Sequence, residues 1–415
     1  MKRSNLQNHA IEIRPMLYPD DLPAIRRIWR EVGWVDESEE KHVDDFFSVG
    51  KTLLATLGGG PECSVHTVHG QLSLQETPLP LCAVTAVTTS RIGRGHAFAK
   101  RLTALQLQQA HADGARVAAL GMFDQGFYDQ LGFGSGGYDH QIKFDPGTLK
   151  VDHRVPTPRR ISKEDYTAVH QAMCNRQKVN GSVVLFDEIL IKCELNWTQD
   201  GFGLGYGEGD TLTHFIWLSG KGEHGPYTVT TMAYQNSDQL LELLGLLKSL
   251  ADQVYTVKMI QPAHIQLQDL LERPFRTRST TAGGTHANEQ FSFAWWQLRI
   301  LDVVECVSVF QAMQPAEFQL EITDPVEVFL DGSDGWQGAA GSYVVALGDR
   351  SHAAPGHNSD LPVLSCSINA FTRLLWGVAK ATSLAVTDDF KAPSTLLDAL
   401  DRAVVLPTPH TGWDF

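Results

Sequence analysis

The sequence predicts an α+β protein in which two similar mixed-sheet units are followed by a third α+β unit. Strand-like and helix-like segments alternate along most of the chain. The order strand, helix, strand, short helix occurs twice, first from residue 81 and again from residue 226, which indicates a structural duplication. At ~150 residues per domain, a chain of 415 residues also leaves room for a third domain.

The first unit is assigned to residues 1–147. Residues 11–16 alternate as a strand does. Residues 20–34 predict a helix that Asp20 or Asp21 caps and whose first turn suits Pro23. The other predicted elements are a buried strand at 81–88, a helix at 97–112, a strand at 116–123, a helical turn at 127–131 and a strand at 138–144.

The second unit, residues 159–296, follows a linker whose prolines and glycine break the periodicity. Ser162 and Asp165 predict a capping box at its first helix. Its other predicted elements are a strand at 226–234, a helix at 238–252, a strand at 254–260 and a short helix at 264–272. The third unit, residues 297–415, is predicted to contain strands at 317–322, 326–330 and 342–348, with hairpin turns at 331–332 and 334–335, and helices at 368–380 and 394–403.

The composition indicates an acidic globular protein, with 43% hydrophobic and 20% charged residues. A formal net charge of −14 argues against a protein that coats nucleic acid and favours neutral or cationic partners. No apolar stretch approaches the ~18 residues of a membrane helix, and residues 1–15 lack the apolar core of a signal peptide. The six cysteines form no CxxC pair. We therefore expect a cytoplasmic protein without a metal cofactor.

The segment most informative about chemistry joins the strand and the helix of the first repeat. It contains Arg91, Gly93, Arg94 and Gly95. A helix N-terminus presents free backbone N–H groups, and glycines let that backbone approach an anion closely. The segment therefore fits a pyrophosphate-binding loop. A plain glycine-containing turn with solvated arginines is the structural alternative.

This segment resembles motif A of the GNAT acetyltransferases, whose Q/R-x-x-G-x-G/A loop holds the pyrophosphate of acetyl-CoA. Gly95 and Ala97 stand at the G-x-G/A positions, whereas Ile92 departs from the pattern at the Q/R position. The resemblance implies acetyl-CoA as co-substrate, with its pantetheine arm along the strand and its pyrophosphate in the loop. The implied contacts are Thr85, Ala86, Val87, Phe123 and Asp124 for the arm, and Gly93, Arg94, Gly95, His96 and Ala97 for the pyrophosphate.

Residues 126–133, GFYDQLGF, resemble motif B of the same family with its Y-x-x-x-G-F signature. The resemblance places Tyr128 at the position of the tyrosine that many GNAT enzymes use as general acid. A phenol with a reference pKa of about 10 is protonated at neutral pH and supplies the proton that the departing thiolate needs. A core tyrosine beside Phe127 and Phe133 is the alternative.

Over nearly its whole length, the chain resembles the Eis (enhanced intracellular survival) family, in which two GNAT-like domains precede a domain similar to sterol carrier proteins. The resemblance implies a catalytic first domain, a non-catalytic second domain and a homo-hexamer. In that family the C-terminal carboxylate is the base of the first domain, which implies this role for Phe415. A frayed tail is the alternative, although the apolar Trp413 and Phe415 favour a docked end.

The resemblance implies a small-molecule or peptide amine as acceptor, and the acidic chain favours a cationic one. We assign Trp29, Trp34 and Asp414 as candidate substrate-binding residues. A function of another class stays open, namely a non-catalytic protein whose first domain senses acetyl-CoA and whose last domain carries an apolar ligand. A sensor needs neither a general acid nor a terminal carboxylate, so we favour an N-acetyltransferase in which a primary amine attacks the thioester directly.

Overall fold

The structure of the protein is a computed structural model that describes residues 10–122, 124, 126–151, 154–220, 222–273, 284–330, 332 and 335–415. The chain forms two compact units. Unit 1 contains the chain up to Ser135, Trp296–Val405 and Phe415, whereas unit 2 contains Gly136–Trp295 and Leu406–Asp414.

The strands are numbered in chain order. They are β1 (Ile11–Pro15), β2 (Lys51–Leu57), β3 (Gly60–Leu74), β4 (Thr77–Thr89), β5 (Val117–Gly121), β6 (Gly134–Ser135), β7 (Asp139–Phe144), β8 (Arg159–Ile161), β9 (Val183–Leu185), β10 (Gly201–Tyr206), β11 (His214–Ser219), β12 (Tyr227–Ala233), β13 (Val257–Ile260), β14 (Glu289–Phe293), β15 (Trp296–Ile300), β16 (Ala316–Thr323), β17 (Gly341–Leu347), β18 (His352–Pro355), β19 (Val363–Ser367) and β20 (Phe390–Lys391).

The helices are α1 (Leu22–Val32), α2 (Glu40–Phe47), α3 (Phe98–Ala112), α4 (Tyr166–Asn175), α5 (Glu188–Trp197), α6 (Ser237–Ser249), α7 (Val303–Ser308), α8 (Ile368–Leu375), α9 (Ala381–Thr387) and α10 (Ser394–Ala403). Short 3-10 turns span Tyr128–Leu131, Pro146–Thr148, Lys163–Asp165, Leu267–Leu270 and Pro325–Phe329. Within the described ranges, no helix is both long enough and apolar enough to cross a bilayer.

The first sheet of unit 1 has the strand order β1-β2-β3-β4-β5-β15-β6. Its central strands β4 and β5 are parallel and are connected by α3. The buried side chains Leu102 and Leu107 of α3 pack in one core cluster with Val84 of β4 and Leu120 of β5. β15 lies antiparallel between β5 and β6, and all of its residues are buried. This core fixes the position at which β4 passes into α3.

The second sheet of unit 1 has the order β18-β17-β16-β19-β20 and confirms the strands predicted at 317–322 and 342–348. The strand predicted at 326–330 is wrong. Asp324 accepts a hydrogen bond from the N–H of Val326 at 3.1 Å, and this cap starts the turn Pro325–Phe329 instead. The helix predicted at 368–380 ends at Leu375, because Gly377 turns the chain with a φ of +67°. The hairpin turns predicted at 331–332 and 334–335 include residues 331 and 334, which lie outside the described residues.

The sheet of unit 2 has the order β14-β7-β13-β12-β11-β10-β8. β12 and β13 are parallel and are connected by α6, whose buried Leu240, Leu243, Leu244 and Leu247 follow helical spacing. The 3-10 turn Leu267–Leu270 comes after β13, as the turn Tyr128–Leu131 comes after β5. The repeated order of elements predicted from the sequence is therefore present in the structure.

The pairing of two strands does not follow the predicted division of the chain into consecutive units. β7 falls within the predicted first unit but pairs with β13 and β14 in the sheet of unit 2. β15 begins at the predicted end of the second unit but pairs with β5 in unit 1. The two units are thus interleaved along the sequence between Ser135 and Trp296.

Two helix starts test the predicted caps. The capping box of Ser162 and Asp165 is present. Asp21 precedes α1 but makes no side-chain cap. Its carboxylate instead accepts hydrogen bonds from Arg14 at 2.6 and 2.8 Å and from the N–H of Leu17 at 2.7 Å, so an ion pair replaces the predicted cap.

Candidate functional site

A bulge interrupts β4 at the residues predicted to hold the pantetheine arm. His66 of β3 pairs with Thr85, whereas Ser64 pairs with Thr88. Ala86 and Val87 therefore oppose a single residue of β3. Ala86 adopts a left-handed φ of +50°, a conformation that costs free energy for a residue with a Cβ. The bulge bends the strand at this point.

The parallel pairing of β4 with β5 ends just before this bulge. Their register runs from the pair of Leu81 with Val117 to the pair of Val84 with Leu120, yet β4 continues to Thr89. Residues 85–87 of β4 therefore lie beyond the last residue pair of the two strands, and we call this side of β4 the β4–β5 cleft. Backbone N–H and C=O groups along such a cleft are available to an extended ligand.

The predicted pyrophosphate loop leads from this cleft to α3. The hydroxyl of Ser90 accepts a hydrogen bond from the N–H of Gly93 at 3.1 Å. A Cβ at Gly93 would lie 2.8 Å from the backbone oxygen of Glu62, so the position requires glycine. Gly95 and Ala97 have left-handed φ values of +84° and +56°, and these two residues turn the chain into the helix.

The N-terminus of α3 has no side-chain cap, because Ala97 occupies the N-cap position. Its first N–H groups and the positive end of the helix dipole therefore remain available to an anion. Arg91 is engaged by Glu31, whose carboxylate accepts the N–H of Arg91 at 3.1 Å and whose backbone oxygen accepts its guanidinium at 3.2 Å. The first of these hydrogen bonds is the main cause that lowers the pKa of Glu31.

Arg94 is exposed, and among the described residues no hydrogen bond or ion pair involves its side chain. It is therefore the loop arginine that a bound anion can recruit. His96 is also exposed and stacks on Phe98, with the ring centroids 5.0 Å apart. Asp124 is exposed, and Phe123 lies outside the described residues.

Tyr128 begins the 3-10 turn that follows β5, and its side chain is 1% exposed. Its ring meets Phe127 edge-on at 4.9 Å and Phe133 at 6.1 Å between centroids. Burial is the main cause that raises the pKa of Tyr128, and the charges of Cys63 and Asp124 add to the shift. Tyr128 is thus both a core residue and a phenol that stays protonated at neutral pH.

Side chains from the C-terminal part of unit 1 hold the turn that carries Tyr128. The amide of Asn369 donates to the backbone oxygens of Asp129 and Phe133 at 2.9 and 2.7 Å. The amide of Gln297 donates to the carboxylate of Asp129 at 2.7 Å. These contacts fix both ends of the turn.

Arg299 supports the same turn from β15. It donates to the backbone oxygen of Leu131 and pairs at 2.6 Å with Asp324, and the side chains of both ion-pair partners are fully buried. A Cβ at Gly132 would lie 2.6 Å from the Arg299 guanidinium. The glycine of the predicted Y-x-x-x-G-F signature therefore makes room for this buried ion pair.

Trp29 and Trp34 lie together at the C-terminal end of α1. Trp29 is 5% exposed and packs against Trp34, Phe46 and Phe47 with ring centroids 5.3 to 5.9 Å apart. Trp34 is 46% exposed. Trp29 therefore acts in packing, whereas Trp34 presents ring surface on the outside of the cluster.

Unit 2 contains a cavity of about 380 Å³ at the point where β12 and β13 separate. The register of these strands ends at the pair of Val229 with Met259, whereas β12 continues to Ala233. Residues 229–232, 260–265 and 410–414 contribute to the lining. The cavity thus occupies the place in unit 2 that the β4–β5 cleft has in unit 1.

The carboxyl groups of Asp139, Glu194 and Asp414 line this cavity. Burial raises the pKa of Glu194 to about 7, and the charge of Asp414 adds to the shift. Burial likewise raises the pKa of Asp414 to about 6, with a further contribution from Asp139. Asp414 is exposed as a residue and also lines the cavity, where the surrounding protein desolvates its carboxyl group.

Asp139 is 4% exposed and lines the cavity. One carboxylate oxygen accepts the indole N–H of Trp295 at 2.5 Å. The other lies 3.5 Å from Nε2 of His410 without a hydrogen bond. Burial is the main cause that lowers the pKa of His410, which favours its neutral ring. The guanidinium of Arg176 also lines the cavity, so three carboxyl groups face one guanidinium there. Within the described ranges, no group of three or more His, Cys, Asp or Glu side chains is arranged to hold a metal ion.

The sequence-based predictions missed Glu194, although a signal was present. Glu194 lies three residues after Ile191 and four after Leu190, both of which are buried in α5. That spacing places its carboxyl group on the buried face of the helix. Asp139 gives no such signal, because its burial depends on the pairing of β7 in a distant sheet.

The two predicted residues at the C-terminus fall in different units. Asp414 belongs to unit 2, whereas Phe415 groups with unit 1, the unit that also contains Tyr128 and the loop before α3.

The first part of the chain matches a known family model. Residues 12–136 match the family model described as an acetyltransferase (GNAT) domain, which spans the β4–β5 cleft, the loop and Tyr128. A comparison with curated proteins found no significant match. The matched domain supports an acyltransferase enzyme.

Several solved structures share the fold over almost the entire chain. A probable N-acyltransferase from Enterococcus faecalis has a TM-score of 0.79 and 14% identity, covering 98% of this chain and 100% of its own. A GCN5-related N-acetyltransferase from Kribbella flavida has a TM-score of 0.77 and 17% identity, covering 99% and 100%. Eis1 from Mycobacterium abscessus has a TM-score of 0.76 and 15% identity, covering 98% and 100%. At these identities the likeness is one of fold.

Proposed function

We propose that the protein is an N-acetyltransferase that transfers the acetyl group of acetyl-CoA to a primary amine by direct attack. The observation that carries the proposal is the β4–β5 cleft, which leads through a glycine loop to the uncapped N-terminus of α3. The pantetheine arm extends along the backbone of Thr85, Ala86 and Val87. The pyrophosphate binds the N–H groups from Gly93 to Ala97, with the guanidinium of Arg94 beside it.

The reaction requires two proton transfers. The neutral amine attacks the thioester carbonyl, a C–N bond forms, and the C–S bond breaks as the tetrahedral intermediate collapses. Tyr128 donates its phenolic proton to the departing thiolate, which becomes the thiol of coenzyme A. The carboxylate of Phe415 accepts the proton that the attacking nitrogen loses. A proton then passes through solvent from the carboxylic acid to the phenolate and restores both groups.

The terminal carboxylate is a weak base in water, with a reference pKa of about 3.3–3.7. Burial raises such a value, because the charged form loses hydration. The grouping of Phe415 with the unit that contains Tyr128 supports this role. The amine must be neutral to attack, and a Lys-like amine has a reference pKa of about 10.4, so a nearby acceptor for its proton is needed.

The acidic cavity of unit 2 supports a cationic acceptor. The carboxyl groups of Asp139, Glu194 and Asp414 supply negative charge at neutral and higher pH. Asp414 directly precedes Phe415 in the chain, and adjacent Cα atoms across a trans peptide lie about 3.8 Å apart. An ammonium group held by Asp414 is therefore one residue away from the proposed base. In unit 1, the exposed ring of Trp34 is a separate candidate for acceptor binding.

The proposal also includes membership of the Eis family, a sterol carrier protein-like third domain, a homo-hexamer and a cytoplasmic location. The likeness of fold to Eis1 over 98% of this chain supports family membership. In this proposal unit 2 binds no acetyl-CoA and contributes the acceptor cavity.

Release of coenzyme A in the presence of a panel of amines tests the activity. We expect turnover that requires both acetyl-CoA and an amine. Binding of acetyl-CoA without amine-dependent release would instead support the alternative, a non-catalytic acetyl-CoA sensor.

The base is tested by moving the terminal carboxylate. We expect a C-terminal tag, or deletion of Phe415, to reduce kcat strongly, whereas Phe415→Leu keeps the carboxylate and has a milder effect. The same tag at the N-terminus is the matched control. A C-terminally tagged enzyme with the kcat of the N-terminally tagged one would assign the base elsewhere.

A further inference from the structure

We propose that Arg176 is a positioning residue that fixes the C-terminal tail, residues 406–414, in unit 2 and thereby holds the catalytic carboxylate in place. This inference rests on the proposed role of Phe415 as base. It assigns a role in positioning the base to a buried arginine that lies far from the motifs in sequence.

The guanidinium of Arg176 connects three backbone segments of unit 2. It donates to the oxygen of Met173 at 2.7 Å, of Val183 at 2.6 Å and of Thr411 at 2.9 Å. Arg176 directly follows α4 and is 7% exposed. No other side chain offers five N–H donors in one rigid fork, so these carbonyl groups require arginine.

The charge of Arg176 has no carboxylate partner among the described residues. Burial accordingly lowers the pKa of Arg176 to about 10. A buried guanidinium without an ion pair is costly for a purely structural filler, because an apolar side chain of similar volume packs without that cost. What Arg176 contributes to unit 2 is therefore its hydrogen bonds and its contact with the tail.

Two further contacts of Arg176 are with the tail itself. The guanidinium lies 5.4 Å from the ring centroid of Trp413, which is 4% exposed and also meets His170 edge-on at 5.8 Å. Gly412 has a left-handed φ of +59°, and a Cβ there would lie 3.2 Å from two nitrogens of the guanidinium. The tail thus passes Arg176 at a distance that only glycine allows without displacement.

Neighbouring residues extend the same attachment. The N–H of Val183 donates to Thr411 at 2.9 Å, and the N–H of His410 donates to the backbone oxygen of Asn180 at 2.9 Å. The amide of Asn180 donates to the backbone oxygen of Pro407 at 3.0 Å. We call Arg176, Asn180 and the backbone of Val183 the tail clasp.

The clasp explains how a terminal residue can serve as a base. Chain ends fray unless they are tied down, and misplacing a catalytic group by about 1 Å can cost about 10²-fold in rate. The hydrogen bond to Thr411 and the contact with Trp413 fix the chain up to two residues before Phe415. Loss of the clasp therefore releases the carboxylate without changing a residue proposed to contact acetyl-CoA.

The experiment compares Arg176→Met with Arg160→Met, which replaces an exposed arginine of the same unit. We expect Arg176→Met to lower kcat by about tenfold or more, to leave the KM for acetyl-CoA unchanged, and to speed release of Phe415 by carboxypeptidase. Arg160→Met should change none of these. In Arg176→Ala, added methylguanidinium should restore part of kcat.

A second pair of variants changes glycines instead of Arg176, and one of them lies in the tail. This pair keeps the proposal testable if Arg176→Met fails to fold. Gly412→Ala places a methyl group against the guanidinium, whereas Gly209→Ala, also at a left-handed φ (+56°), meets no atom within 4 Å. Gly412→Ala should reproduce the loss of kcat and the faster release of Phe415. Gly209→Ala should not.

A chain truncated after Pro409 separates positioning from general damage. If Arg176 acts through the tail, Arg176→Met causes no further loss of kcat in that background. An equally large loss there, normal kcat in both Arg176→Met and Gly412→Ala, or unchanged release of Phe415 would overturn the proposal. If Phe415 is not the base, the C-terminal tag leaves kcat normal while carboxypeptidase release still reports the clasp, so the two failures are distinguishable.

Discussion

The strand–helix crossings of the two units share a geometry but differ at the helix N-terminus. In both units the first of two parallel strands continues beyond its last pair with the second and leads toward a helix. In unit 1 a long glycine loop leads to α3, which has no side-chain cap. In unit 2 the side chain of Asn236 caps α6 by accepting the N–H of Gln239 at 3.0 Å. An N-terminus that is capped internally has fewer N–H groups to offer a pyrophosphate.

The same comparison extends to the turn after the second strand. Tyr128 begins this turn in unit 1, and Leu267, which is completely buried, begins it in unit 2. Unit 2 thus has neither an open anion site at α6 nor a proton donor at the position of Tyr128. Its cleft is instead lined by carboxyl groups and by the C-terminal tail. One arrangement of strands and helix therefore occurs with two different sets of loop and side chains, and we propose a different use for each.

We expect the largest effect from Tyr128→Phe. This substitution removes the proton donor from the turn of unit 1, so that this turn, like that of unit 2, cannot donate a proton. Proton transfer by a positioned group is worth about 10²–10⁴-fold. Because burial raises the pKa of Tyr128, its phenol is a weaker acid than free tyrosine, and we expect a fall in kcat near 10²-fold. Steady-state kinetics should show an unchanged KM for acetyl-CoA. Tyr255→Phe, at an exposed tyrosine of unit 2, is the control, and a normal kcat in Tyr128→Phe would assign the proton donor elsewhere.

The next effect concerns the acidic cavity and the stability of the fold. Burial raises the pKa of Glu194 from 4.5 to about 7. Between these values the folded state binds more protons than the unfolded state, so the free energy of unfolding falls as pH rises. We expect a loss on the order of 2 kcal/mol between pH 5 and pH 8. Urea unfolding should show that Glu194→Gln removes much of this loss.

Glu188→Gln is the matched control, because it changes a carboxyl group on the same helix, α5. It should leave the difference in unfolding free energy between pH 5 and pH 8 as in the unmodified protein. If both variants behave alike, the pH dependence arises from other groups.

A smaller effect is expected at the loop of unit 1. Arg94→Glu places a negative charge beside the proposed pyrophosphate, and we expect the Kd for coenzyme A to rise about tenfold, or about 1.4 kcal/mol. Gln235→Glu also introduces a negative charge, just before α6 in unit 2, and should leave the Kd unchanged. Calorimetry measures both. An unchanged Kd in Arg94→Glu would contradict the placement of the pyrophosphate.

The sequence predicted the elements whose signals are local. The helix at 97–112, the strand at 138–144 and the repeated order of elements depend on periodicity and capping, and the structure contains all three. The long hairpin of β3 and β4 was predicted only in part, because the strand signal before residue 81 is interrupted by Pro78 and Pro80. No local sequence signal indicates that β7 pairs within unit 2 or that β15 pairs within unit 1.

The candidate site divides in the same way. Gly93, Gly95 and Tyr128 follow from motifs in one continuous segment. Arg299 and Arg176 act on backbone groups about 170 and 235 residues away in sequence, and such contacts are set by tertiary packing that periodicity does not encode. Sequence reasoning therefore found the groups proposed to meet acetyl-CoA and missed those that position them.

The smallest expected effect tests whether the cleft of unit 2 holds a cationic acceptor. The pKa of Asp414 is raised to about 6 by burial, so its carboxyl group is mostly ionised at pH 8 and mostly protonated at pH 5.5, whereas an alkylamine remains cationic at both. We expect Asp414→Asn to raise the KM for an alkylamine about three- to fivefold at pH 8, which corresponds to about 1 kcal/mol. At pH 5.5 the variant should match the unmodified enzyme, because asparagine resembles the protonated acid.

Two controls separate charge from shape. The KM for an arylamine, which is neutral at both pH values, should not change in Asp414→Asn. The KM for the alkylamine should not change in Asp252→Asn, which alters an exposed aspartate of the same unit. An equal rise in KM at both pH values would show that shape rather than charge at Asp414 governs acceptor binding.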